Sequence, residues 1–370
     1  MIRLRVLLMT DEATVGGGQR QLLALAERMD PARFEVGVAC PQEGYLVDEI
    51  RLRRIRHVPL NLPNHPSLTA IARTLRALRR FRPDILHTHG GTAGFYGRCA
   101  GGMIPGIRIV HTYHGIHYLN FTPGIRRFTY TFIDKLLLRS TDIVICVGQG
   151  DYRAGLAAGV VTEKKSVVIT NGIDIQKFAR RRKTVRRQVI GTIGRLHIQK
   201  GQIYLLEAMQ HVLASEPSAI LRIVGDGELM NDLKNSAQSL GLSGHIEFAG
   251  VRNDVAKELA AMEIFVLPSL WEGFPLVLLE AMAAERPIVA TRVNGVTEIL
   301  EDGVDSILVP PRNPQALADA VLALLRSRSL AVQYAKQAGH KVRDLFIVDT
   351  MIKKTQQVYE HVGAKAAREA

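Results

Sequence analysis

Cysteine is scarce in this chain: Cys40, Cys99 and Cys146 are the only three among 370 residues. The number is odd and the spacing is not that of metal ligands, so neither a disulfide framework nor a cysteine-built metal site is expected, and a reducing, cytoplasmic setting fits best. Long apolar runs are missing too. Nowhere do about 18 uninterrupted apolar residues occur, so no transmembrane helix is expected. The apolar stretch around Arg3 and Arg5 ends at Asp11 and Glu12, too short for a signal-peptide core, and export is not expected. Such a chain could touch a bilayer only from its surface. Neither Gly-x4-Gly-Lys nor Gly-x-Gly-x-x-Gly occurs, which weakens NTPase and dehydrogenase readings.

Acidic residues are short in one half only. Residues 1–187 carry 30 Lys and Arg against 14 Asp and Glu, a net of +16, whereas residues 188–370 carry 18 against 21, a net of −3. A charge excess confined to one half implies an anionic partner for that half: phospholipid, lipid diphosphate or nucleic acid. Hydrophobic residues at 47% and charged residues at 22% are ordinary for a globular protein. The length exceeds one hydrophobic core and predicts two domains of roughly 150 to 200 residues.

Short Val, Ile and Leu-rich runs predict buried strands at 4–9, 35–39, 84–87, 107–111, 142–147 and 166–170, with amphipathic helical stretches such as 19–29 and 68–81 between them. The second half repeats the pattern. Its strands fall at 189–193, 220–224, 246–249, 264–267, 288–290 and 306–309, with helices such as 202–213 and 276–284. Strand and helix in alternation give parallel sheets covered on both faces. The fold class is therefore α/β, with two doubly wound Rossmann-like domains, 1–180 and 188–345. Six basic residues between Arg180 and Arg187, broken by Thr184 and Val185, read as an exposed linker. A helical pattern from about Val348 to Val362 closes the chain, and Gly363 to Ala370 are expected to be loose.

The richest segment, Pro268 to Ala283, follows a predicted strand, and ligands of open α/β sheets bind beyond the carboxyl ends of strands. Pro275 suits a first helical turn, leaving Glu272 in the loop and Glu280 inside the helix. Carboxylates accept hydrogen bonds from sugar and ribose hydroxyls, and free amides at a helix start suit an anion. Gly194-Arg195-Leu196 and Lys200-Gly201 follow the first strand of the same half, bringing two cations to the same strand ends. That set fits a diphosphate leaving group, neutralised by Arg and Lys without a metal. Gly225-Asp226-Gly227 adds a tight turn at this edge. In the first half, Gly16-Gly17-Gly18 lets backbone amides approach a phosphate or sugar, or is a plain turn. His87, His89, His111, His114 and His117 cluster at two strand ends without nearby Cys or carboxylate, so a sugar-binding histidine is expected there rather than a metal.

Together these segments resemble the retaining, two-domain glycosyltransferases of family 4, the group 1 glycosyltransferases, which have the GT-B fold of two domains facing across a cleft. The resemblance covers nearly the whole chain. It rests on Glu272 and Glu280 in a Glu-x7-Glu element, on Gly194-Arg195-Leu196 with Lys200-Gly201, and on Asn171-Gly172-Ile173-Asp174 with Phe178. His114-Gly115, the glycine loop and Gly295-Val296-Thr297-Glu298 complete it. It implies that Glu280 holds the donor ribose, that Glu272 with neighbouring Gly273, Phe274, Leu276 and Val277 contacts the donor, and that Arg195 and Lys200 hold the diphosphate. It further implies that Gly16, Gly17 and Gly18 approach the donor, that His114 lies near the transferred sugar, and that the segment 346–370 packs back on the first domain. Transfer would proceed with retention, the departing phosphate oxygen helping to deprotonate the acceptor. No cofactor and no metal are implied, and no Asp-x-Asp motif occurs.

Acceptor choice is expected in the basic half. Arg73, Arg76, Arg79, Arg80 and Arg82 surround Ile71, Leu75, Leu78 and Phe81, a pattern suited to anionic lipid. Residues Ile116 to Arg139 mix Tyr118, Phe121, Phe128, Tyr130 and Phe132 with Arg126, Arg127, Lys135 and Arg139. Both suggest a lipid-linked saccharide acceptor at the cytoplasmic face of a membrane, in bacterial surface-polysaccharide assembly. The rival readings are a nucleotide-sugar epimerase or a phosphorylase of the same architecture, and a nucleic-acid binder, which lacks base-stacking aromatics on a recognised module.

Overall fold

The computed structural model describes residues 3–121, 124–178 and 188–369. The basic run from Arg180 to Arg187, expected to be a linker, lies outside the described residues, as does Ala370. The chain divides into two compact units, Met1–Asn171 with Val348–Ala370, and Gly172–Ile347. Residues 172–178, expected with the first domain, thus group with the second. The Ile173 amide there donates to the Phe346 carbonyl at 2.9 Å.

In the first unit the described residues form a seven-stranded sheet. Its strands are β1 (Leu4–Met9), β2 (Phe34–Cys40), β3 (Arg56–Pro59), β4 (Ile85–His89), β5 (Arg108–Tyr113), β6 (Ile143–Cys146) and β7 (Ser166–Val168). Their order is β3-β2-β1-β4-β5-β6-β7 and all pairings are parallel. The reversal of order between β1 and β4 leaves a crevice at their carboxyl ends. β3, which the apolar pattern did not reveal, is a four-residue edge strand that reads Arg-His-Val-Pro and has no buried residue. An edge strand needs little apolar character, and its closing proline has no amide to offer a further neighbour.

The period of two along β1 builds two cores at once. Val6 and Leu8 join one buried cluster, Leu7 and Met9 the other. The first cluster contains Leu22, Leu25 and Val38, and also Val348, Met351, Ile352, Tyr359 and Val362 of the terminal helix Val348–Glu369. That helix runs past its expected end at Val362, through most of the residues expected to be loose. Each of its large apolar side chains, once buried, stabilises the unit by about 1.5–3 kcal/mol. The second cluster is covered by helix Leu68–Phe81, capped by Ser67, whose hydroxyl accepts from the Ala70 amide at 3.3 Å. Among the described residues no helix is long and apolar enough to cross a membrane.

The second unit repeats the design in a six-stranded parallel sheet. Its strands are β8 (Val189–Ile193), β9 (Ile220–Val224), β10 (Ile246–Gly250), β11 (Ile264–Leu267), β12 (Ile288–Thr291) and β13 (Ile307–Val309), in the order β10-β9-β8-β11-β12-β13. β11 and β12 are buried at every position, and apolar throughout apart from Thr291 at the end of β12, because helices cover both faces. Order reverses between β8 and β11, and the loops carrying Gly194 to Lys200 and Pro268 to Pro275 leave the sheet at that point.

Candidate active site

In the second unit, β8 ends at Ile193 and the chain turns through Gly194 and Arg195 into the 3₁₀ turn Ile198–Lys200. Gly201 follows with φ of +61°, a left-handed conformation that starts helix Gln202–Ser215. A Cβ at Gly201 would run into the Pro268 carbonyl oxygen, so glycine is required both for the turn and for the approach of the β11 loop. The two loops are then joined by hydrogen bonds. The Leu270 amide donates to the Gln199 carbonyl at 2.7 Å, and Gln199 Nε2 donates to the Trp271 carbonyl at 3.0 Å.

This closeness brings Lys200 and Glu272 together. Lys200 Nζ lies 2.5 Å from Glu272 Oε1, and the Glu272 side chain is only 5% exposed. Ser269 Oγ donates to the same oxygen at 2.6 Å and Gln199 Nε2 reaches Oε2 at 3.4 Å. A carboxylate with three donors is held in one place, and it fixes Lys200 at the mouth of the strand ends. Arg195, by contrast, is exposed, while its carbonyl accepts from Gln202 Nε2 at 3.0 Å. The loop thus presents one anchored cation and one exposed one, beside the amides of two helix starts. Ser269 and Gln199 carried no signal of their own in the sequence. Both are uncharged loop residues whose role appears only when the two loops meet.

The remaining residues of the segment take their places around this pair. Pro275 is the residue before helix Leu276–Ala283 rather than within its first turn, with φ −72° and ψ 110°. Glu280 lies inside that helix and is 5% exposed. The Phe274 side chain turns inward, its ring edge-on to Phe346 at 5.6 Å. Leu276 is likewise buried and Val277 half-buried, so this stretch can meet a ligand mainly through backbone. Gly295 admits the loop from the far side, since a Cβ there would strike the Gly273 carbonyl.

In the first unit, Gly16 caps helix Gly17–Arg28 with an extended backbone and no side chain over the helix start. A Cβ on Gly18 would lie 3.5 Å from the His114 ring, so the glycine loop and His114 are neighbours. His114 follows β5 and is half-buried. Its Nε2 lies 3.1 Å from Nδ1 of His89, the last residue of β4, with the two rings stacked at 5.4 Å. His87 is completely buried, with Nδ1 2.6 Å from the Tyr359 hydroxyl and Nε2 2.7 Å from Thr112 Oγ1. His111 Nδ1 meets Thr88 Oγ1 at 2.8 Å. Burial lowers the pKa of every one of these rings. His114 is brought to about 4 by burial and then by His117, and His87 to about 3 by burial and then by His114. His89 and His111 fall well below the usual histidine value, again chiefly through burial. All four are neutral at pH 7.

The two lipid-facing candidates separate. Helix Leu68–Phe81 buries Ala70, Thr74, Leu78 and Phe81 against the sheet and half-buries Ile71 and Leu75, so its apolar face is already occupied, and its arginines are exposed together with Leu68, Thr69 and Ala72. Helix Gly124–Leu137 does the reverse. Ile125, Phe128, Tyr130, Phe132 and Leu136 are between 44% and 76% exposed. Its attachment is Asp134, which accepts from buried Arg98 and, at 2.6 Å, from the Tyr118 hydroxyl. The side chain of Phe121 lies outside the described residues.

Comparison with known proteins gives consistent results for both halves. Residues 15–177 match the family model described as Glycosyltransferase Family 4, and residues 187–327 match the one described as Glycosyl transferases group 1. The Escherichia coli UDP-Gal:alpha-D-GlcNAc-diphosphoundecaprenol alpha-1,3-galactosyltransferase is 27% identical over 93% of this chain and 94% of its own. Among solved structures, Anabaena HepE in complex with UDP-glucose superposes with a TM-score of 0.84 at 22% identity, over 97% of this chain and 100% of that one. Sucrose-phosphate synthase from Thermosynechococcus elongatus gives 0.82 at 19% identity, over 98% and 100%. At such identities the structural likeness concerns the fold, two Rossmann-like domains of the GT-B type.

Proposed function

The chain belongs to the group 1 glycosyltransferases of family 4, and from that premise we propose that it moves a sugar from a UDP-sugar to a lipid-linked saccharide, with retention at the anomeric carbon and without a metal. The observation that carries the donor side is the Lys200–Glu272 pair at the β8–β11 crevice, with Arg195 exposed beside it. The two cations and the helix-start amides stabilise the charge that develops on a departing diphosphate. Glu272 accepts from a sugar hydroxyl once Lys200 turns to phosphate, and Glu280 holds the ribose. His114, next to Gly18, donates to the transferred sugar. The phosphate oxygen that leaves takes the acceptor proton, which needs no protein nucleophile.

UDP is favoured because the Escherichia coli relative is named for UDP-Gal and the Anabaena structure holds UDP-glucose. A lipid diphosphate acceptor is favoured by the same relative's name and by helix Gly124–Leu137. At 100° per residue, Ile125, Phe128, Phe132 and Leu136 fall within an arc of about 80°, opposite Asp134. Exposed Arg126 and Lys135 lie to either side of the arc, in the half whose net charge is +16. An apolar stripe with basic borders suits an anionic membrane surface, and this supports a reaction at the cytoplasmic face of the membrane in surface-polysaccharide assembly.

Purified protein incubated with UDP-, GDP- and ADP-sugars, with and without a polyprenyl diphosphate saccharide, tests the reading. UDP release that rises on adding the lipid acceptor is expected, unchanged by EDTA, with the new linkage keeping the donor's anomeric configuration. Release from GDP- or ADP-sugars alone would overturn the donor assignment. Conversion of the UDP-sugar into its epimer without transfer would overturn the reaction class.

A further inference from the structure

His89 is buried at the end of β4, and among the described residues its side chain has a single hydrogen-bond partner, His114 Nε2, 3.1 Å from its Nδ1. Its other ring nitrogen, Nε2, is shut off from solvent and has no partner among the described residues. The ring sits between two others, with His87 at 4.1 Å and His114 at 5.4 Å between centroids. Both members of the bonded pair are neutral at pH 7. One proton therefore lies between the two nitrogens, and it belongs to one ring or the other.

The two arrangements differ in what they leave buried. If His114 Nε2 carried the proton and donated it, His89 would hold its own hydrogen on Nε2, an N–H enclosed without an acceptor. If His89 carries its hydrogen on Nδ1 and donates, what is enclosed is a lone pair. Buried donors without a partner are the rarer defect in folded proteins, so the second arrangement is favoured. A neutral ring that accepts at Nε2 bears its hydrogen on Nδ1. His114 makes no other side-chain hydrogen bond among the described residues, which leaves that N–H available.

We propose that His89 is a positioning residue that holds His114 in its Nδ1–H tautomer, so that His114 meets the donor sugar as a hydrogen-bond donor and not as a base. This rests on the reading above that His114 lies at the transferred sugar. It deepens that reading by naming the group that sets the proton, one shell further into β4.

The test uses the full chain with ring-¹⁵N-labelled histidine, long-range ¹H–¹⁵N spectra, and transfer kinetics on the same samples. His114→Ala identifies the His114 signals by their loss. In the unsubstituted protein the His114 hydrogen is expected on Nδ1. His89→Phe, which keeps the stacked ring and removes the donor, is expected to give a mixture of tautomers at His114 and to lower kcat about tenfold or more. His89→Asn, whose side-chain amide N–H takes the place of Nδ1–H, is expected to restore both. A His114 hydrogen found on Nε2 overturns the proposal, and so does a His89→Phe protein with Nδ1–H retained and kinetics unchanged. If His89→Phe fails to fold, the spectrum of the unsubstituted protein and the His89→Asn kinetics still decide. Unchanged kinetics in His114→Ala would instead overturn the placement of His114 at the sugar, while the ring spectra continue to report the tautomer.

Discussion

In the proposed reaction Lys200 serves two partners in turn, Glu272 of the neighbouring loop and the diphosphate of a bound donor, and its value depends on switching between them. At 2.5 Å from Glu272 it is already held at the strand ends before any donor arrives, so little order has to be created on binding. Lys200→Ala is expected to lower turnover by about 10²-fold or more, the usual loss on removing one preorganised charge contact. Steady-state kinetics on the variant provide the check, and wild-type turnover with unchanged donor affinity would remove Lys200 from the mechanism. Glu272, Arg195 and Lys200 stand out in the sequence as charged residues in glycine-bearing loops after strands, and the structure sets Lys200 against Glu272. Ser269 and Gln199 do not stand out. Their contribution is a hydrogen bond between two loops, across 73 residues of sequence, for Gln199 and a three-residue reach within one loop for Ser269, and neither geometry leaves a mark on composition or spacing.

At the scale of the element, helices Leu68–Phe81 and Gly124–Leu137 teach opposite lessons from similar patterns. Both alternate arginines with apolar residues, but the first has its apolar face against the sheet whereas the second leaves Phe128 and Phe132 stacked on each other at 6.5 Å in the open. A Phe128→Ser, Phe132→Ser double variant is expected to lose affinity for anionic vesicles by about tenfold or more per phenylalanine. Its stability should change by about 0.5 kcal/mol or less at each site, because both side chains are exposed. Vesicle sedimentation at low salt and urea unfolding measure the two effects. Undiminished sedimentation would show that the stripe does not meet lipid. Amphipathicity announces an apolar face, but only its neighbours determine whether the fold has already used it.

For the whole molecule, the chain's last helix belongs to its first unit, and Tyr359 ties it there through His87. Tyr359→Phe leaves His87 Nδ1 enclosed without its partner and is expected to destabilise the first unit by about 1–3 kcal/mol. Wild-type urea stability would refute that bond's importance. The buried histidines add a pH dependence whose sign follows from their lowered pKa values. The unfolded chain takes up protons near the ordinary pKa of 6.5 while the folded unit does not, so stability is complete above about 6.5 and falls as the pH drops. For His114 the fall continues to about 4 and for His87 to about 3. Each ring that stays neutral in the folded unit contributes a slope of up to about 1.4 kcal/mol per pH unit in that window. Hydrogen exchange of the β4 and β5 amides should therefore speed up between pH 7 and pH 5, beyond the chemical rate, while Trp271 fluorescence reports on the second unit. Equal protection at both pH values would contradict the neutral, buried state of these rings.

By itself, the sequence determined that two parallel α/β units would form, because apolar runs of strand length alternating with amphipathic helices can bury their surfaces in few other ways. It also determined where chemistry could sit, since glycines, cations and carboxylates at strand ends stand out against that regular background. Tertiary structure alone decided that β3 exists, that residues 172–178 side with the second unit, that Phe274 turns inward, and which of two basic helices keeps its apolar face free. Each of these depends on contacts between residues far apart in the chain, and distance in sequence carries no record of proximity in space.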